Sequence, residues 1–63
     1  MKYHVTYYYL ATGMERNTDT RDYGVYEAND EQEAKEIVAV QAYPNDAATR
    51  TFFLGCLTAR RVE

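Results

Sequence analysis

The sequence predicts one small α+β domain over residues 1–63, ordered β-β-α-β, with a three-stranded sheet of strand order 2-1-3 and one helix packed on one face. Three observations carry this. Residues 2–12 alternate in the period of a strand, residues 29–43 form a capped run closed by Pro44, and the segment from Arg50 to Val62 alternates again.

In the first segment Tyr3, Val5, Tyr7, Tyr9 and Ala11 fall on one side of a strand and His4, Thr6, Tyr8, Leu10 and Thr12 on the other. β-branched and aromatic residues dominate it, as they do in strands. The first side is apolar or amphipathic and the second is mixed, which suits a central strand. Residues 13–22 are polar, contain Gly13, Asn17 and Asp19, and read as a loop or a long hairpin connection. Tyr23 to Ala28 reads as a second, shorter strand in which Gly24 marks a weak point or a bulge.

The helix signal is the strongest in the chain. Asn29 with Gln32, or Asp30 with Glu33, supplies a capping box. Asp30, Glu31 and Glu33 sit where the helix dipole favours negative charge. Glu31 and Lys35 are spaced as an i,i+4 pair. Ala34, Ile37, Val38 and Gln41 share a face, and Pro44 stops the helix near Tyr43, giving a helix over 30–43. Val40 and Tyr43 fall on another flank and widen the apolar surface, as a helix tucked at the sheet edge under a loop would allow, or as a partner surface would require.

The residues between Pro44 and Ala48 read as a turn. From Arg50 to Val62 the pattern reads as the third strand, with Phe52, Leu54, Cys56 and Thr58 on one side and Phe53, Gly55, Leu57 and Ala59 on the other. A helix from Asp46 onwards is the alternative, because Ala48, Phe52, Gly55 and Ala59 also share a helical face. A right-handed crossover places the third strand beside the first and parallel in direction to the second, a split β-α-β unit. The helix then covers one sheet face and no element is left to cover the other.

Composition narrows the function classes. A chain of 63 residues buries only about 60% of its unfolded surface, so good packing or self-association must stabilise it. With one cysteine and one histidine there is no internal disulfide and no four-ligand zinc site. The net charge of −3 argues against a general nucleic-acid binder. No segment approaches the roughly 20 apolar residues of a membrane span, and no apolar signal segment follows Lys2, so a cytoplasmic protein with a reduced thiol is expected.

No residue carries a catalytic, cofactor or metal assignment. His4 and Cys56 would be neighbours in a 2-1-3 sheet, but no orienting residue or oxyanion loop accompanies them, and a lone cysteine more often packs as a small hydrophobe. Asp19, Asp22, Glu27, Asp30 and Glu31 lack the spacing of a calcium loop and read as loop and capping residues. The uncovered sheet face is the functional expectation, with Tyr8, His4, Leu10 and Arg60 as its binding residues. An apolar sheet face of this kind marks a protein interface, so the expected partner is a second copy or another protein. Single-stranded nucleic acid stacking on the aromatic face beside Lys2, His4, Arg60 and Arg61 is the alternative.

Overall fold

The computed structural model describes residues 1–10 and 18–62, and for residues 9, 10, 18 and 19 the backbone alone. The elements are β1 (Lys2–Leu10), β2 (Thr18–Glu27), α1 (Glu31–Ala42), α2 (Ala47–Gly55) and β3 (Leu57–Arg61). The sheet has the order β2-β1-β3, and β1 pairs antiparallel with both neighbours. β2 and β3 therefore run in the same direction with β1 between them, as the split unit requires.

Two expectations need correction. The described residues form two helices, not one, because residues 47–55 form α2 and only Leu57–Arg61 remain as β3. The signal for α2 lies at its start. Asp46 Oδ1 accepts from the Thr49 backbone N–H at 3.0 Å, and Asp46 Oδ2 accepts from the Thr49 hydroxyl. That is an N-cap, and a capped start outweighs an ambiguous alternation behind it. β2 is also longer than expected. Residues 18–22, read as loop, are strand paired with β1, whereas residues 11–17 lie outside the described residues.

α1 begins as the capping pattern predicts. Asp30 Oδ1 accepts from the Glu33 N–H at 2.8 Å, and Glu33 Oε1 accepts from the Asn29 N–H at 3.0 Å. It ends at Ala42, with Tyr43 out of the helical region (φ −136°, ψ 71°) ahead of Pro44. Its last turn contains no basic residue, yet Arg50 from α2 donates from Nη1 to the carbonyls of Tyr43 and Pro44 at 2.9 and 3.3 Å. A cation there satisfies carbonyls that a helix C-terminus leaves open and suits the dipole. The same contact fixes the turn between the helices.

Both helices lie on one side of the sheet. Tyr3, Val5, Leu57 and Ala59 from the strands meet Ala34, Val38 and Ala39 from α1 and Phe53 from α2. Alanines at the contact let α1 approach the sheet closely, and the molecule is only 14 Å thick along its shortest axis. Gln41, expected on the buried face of α1, is exposed, and Ala39 takes that role. Phe53 is the hub. Its ring stacks on Tyr7 at 5.2 Å between centroids and meets the edges of Tyr23 and Tyr43 at 5.8 and 5.1 Å. Tyr43 is thus covered by α2, while Val40 remains exposed in the groove between the helices. The helical alternative set Ala48, Phe52, Gly55 and Ala59 on one face; within α2 it is Phe53 that is buried, and Phe52 is 60% exposed.

β2 departs from regular pairing once. Val5 is opposite Gly24 but Thr6 is opposite Asp22, so Tyr23 is an extra residue and Gly24 adopts φ +91°. This is the bulge that Gly24 signals in the sequence.

Truncating Phe53 to Ala should remove about 3–5 kcal/mol, which is most of what a core this small supplies. Urea unfolding followed by circular dichroism should find Phe53→Ala largely unfolded and Phe52→Ala destabilised far less. Gly24→Ala should cost about 1–2 kcal/mol in the same assay, although no atom lies within 4 Å of where its Cβ would stand; an unchanged midpoint would show that the positive φ is not required.

Candidate functional site

The strand period puts every second residue of β1 on the side away from the helices. Tyr3 and Val5 are buried under α1, so His4, Thr6 and Tyr8 face outward. Among the described residues, none of the helices covers this side of the sheet. Residues paired across antiparallel strands share a face, so the register builds the surface rung by rung. Lys2 lies between Glu27 on β2 and, through the Val62 N–H bond to its carbonyl, Val62 after β3. His4 lies between Val25 and Arg60. Thr6 lies between Asp22 and Thr58, and Tyr8 beside Thr20.

The bulge decides which β2 residues join this face. A regular ladder continuing from Val5 and Gly24 would place Tyr23 opposite Thr6 and Asp22 opposite Tyr7. A one-residue slip reverses every side chain beyond it. Tyr23 instead turns inward to Phe53, Asp22 turns outward, and Arg21 stands over the Tyr7 ring, 5.6 Å from its centroid. Below the bulge, Thr6, Tyr7, Tyr8, Thr20, Arg21 and Asp22 line a shallow depression of about 420 Å³.

His4 and Asp22 form the polar centre of the face. His4 Nε2 lies 2.7 Å from Asp22 Oδ1, and the same oxygen accepts from the Gly24 N–H at 2.9 Å. The His4 contact first, and the Gly24 N–H second, hold the Asp22 carboxyl below the usual carboxylate range. The pair therefore pins the bulge as well as the His4 ring.

Of the expected binding residues, His4, Tyr8 and Arg60 lie on one face. Tyr8 is 54% exposed, and Arg60 is directly paired with His4. Leu10 is paired with Thr18 through its backbone, and its side chain lies outside the described residues. Asp22, Val25 and Val62 also belong to the face, and the last two are about half exposed. Their signal was the Gly24 bulge, which reassigns Asp22, and the strand alternation from Arg60 to Val62.

Cys56 is not beside His4. It caps α2, and its carbonyl accepts from the Tyr8 N–H at 3.0 Å. His4 pairs with Arg60, so four residues of β3, roughly 13 Å at strand rise, separate the two levels. A thiol–imidazole pair is not formed. Among the described residues no three His, Cys, Asp or Glu side chains converge as a metal site, and no helix is long and apolar enough to cross a membrane.

No protein-family model, curated protein or solved structure matches this chain.

The Asp22 carboxylate contributes stability above about pH 4, and that contribution is lost as the pH falls through its lower folded-state value. An NMR titration of the carboxyl carbon should find Asp22 below the ordinary aspartate value of about 3.9. In His4→Ala it should rise towards that value; an unchanged titration would mean that the His4 contact does not form in solution.

Proposed function

We propose that this chain is a non-catalytic interaction module that self-associates through its uncovered sheet face. The observation that carries the proposal is the pairing of two faces in one sheet. One face is fully used by the helices and the Phe53 cluster, and the other presents Tyr8, Val25 and Val62 to solvent around a His4–Asp22 centre. These apolar groups are interleaved with Lys2, His4 and Asp22, the mixed apolar and polar composition of a non-obligate interface. Tyrosine and arginine, here Tyr8 and Arg60, are the residue types that most often dominate binding energy. Association would also enlarge a core that is small for a free-standing fold.

Single-stranded nucleic acid is a weaker reading for the same face. Tyr8 offers a stacking platform, but Lys2 and Arg60 are matched there by Glu27 and Asp22, so the face offers no basic track for a backbone.

Sedimentation equilibrium of the reduced protein across micromolar concentrations should find a dimer. Tyr8→Ala should weaken it at least tenfold while leaving the circular dichroism spectrum intact. Unfolding by Tyr8→Ala would place that ring in the core and remove the proposed surface. A wild-type protein that stays monomeric and binds labelled single strands at low salt would favour the nucleic-acid reading instead.

A further inference from the structure

Resting on the reading of the open face as a self-association surface, the charge pattern points to one arrangement of the two copies. We infer a face-to-face dimer whose two-fold axis lies in the interface and runs along β1, so that β2 of each copy lies over β3 of the other.

The face is divided by strand. Its acidic groups, Glu27 and Asp22, stand on β2, its arginine, Arg60, stands on β3, and Lys2 and His4 lie on β1 between them. With His4 neutral, Lys2 and Arg60 balance Glu27 and Asp22, and the Met1 amino group 3.2 Å from Glu27 Oε1 adds a further positive charge at the edge, so the side-chain net charge of −3 resides elsewhere. A second copy therefore meets this side without the like-charge repulsion that the acidic remainder would impose.

Two in-plane axes can bring such a face against itself. An axis across the strands stacks β2 on β2 and β3 on β3, so the carboxylates of one copy face only β2 of the other and never Arg60; passing at the His4 rung, it sets Glu27 against Asp22 and Arg60 against Arg60. An axis along the strands exchanges the outer columns. Arg60 of one copy then stands over Val25 of the other. Glu27 and Asp22 of that copy lie one rung to either side, about 7 Å away along the strand, within reach of an arginine side chain. The contact occurs twice by symmetry. The outward residues of β1 lie nearest their own counterparts across the axis, as an isologous interface requires: Tyr8 meets Tyr8, and Lys2 meets Lys2 with Glu27 beside each.

The test is a charge exchange between copies. Arg60→Glu and Glu27→Arg are both exposed substitutions, and circular dichroism checks that each folds. Each variant alone should dimerise at least tenfold more weakly than wild type in sedimentation equilibrium, because each places like charges at both contacts. Their equimolar mixture should recover wild-type affinity, since one contact is native and the other is reversed. Single variants that associate like wild type, or a mixture no tighter than its components, would overturn this axis while leaving self-association through the face in place. A wild-type protein that is monomeric throughout would remove the underlying reading itself.

Discussion

The packing of Phe53 against three tyrosines is the interaction on which the rest of this molecule depends. One aromatic ring from α2 touches β1 through Tyr7, β2 through Tyr23 and the end of α1 through Tyr43. Ring pairs of this geometry add about 0.5–1.5 kcal/mol each beyond the area they bury. In a chain with no disulfide and no tryptophan, that cluster ties α2 and the end of α1 to the sheet, beside the packing of Ala34, Val38 and Ala39 of α1 on the strands. It also settles which side of the sheet is core. Every large aromatic group that the cluster recruits is removed from the opposite face.

The bulge in β2 follows from the same demand. Tyr23 can reach Phe53 only if the ladder slips by one residue, and Gly24 supplies the positive φ that makes the slip possible. The slip then delivers Asp22 to the outer face, where His4 and the Gly24 N–H both bind its carboxylate. Core packing on one side and the polar centre on the other are two consequences of a single extra residue. An outer face assembled this way carries mixed charge and a few half-exposed apolar groups, in place of the continuous apolar surface that would drive unspecific aggregation.

Much of this was legible in the sequence where local signals agree. The alternation of β1, the capped start of α1 and the stop at Pro44 each have one physical meaning, and the strand order followed from them. The stretch 47–61 was harder because its apolar residues fit both periods. Phe53 and Leu57 satisfy a strand face, while only the Asp46–Thr49 cap separates the helix from it. The register of β2 was harder still. Gly24 announces a bulge, but which residue becomes the extra one depends on Tyr23 finding Phe53, a contact between residues far apart in the chain. So Tyr8, His4 and Arg60 could be placed on the outer face from alternation alone, whereas Asp22 could not. The two-fold charge division of the face, with carboxylates on β2 and Arg60 on β3, becomes visible only once that register is known.

Hydroxyl-radical footprinting read by mass spectrometry, across a dilution series, tests the central claim of one packed and one contact face most directly. In dilute solution Tyr8 should oxidise rapidly and Tyr3 slowly, since Tyr8 is 54% exposed and Tyr3 only 5%. As concentration rises, Tyr8 should become protected while Tyr3 stays unchanged. Oxidation of Tyr8 at the same rate at every concentration would contradict the use of this face for association, and a Tyr3 that reacts faster than Tyr8 would contradict the assignment of the faces altogether.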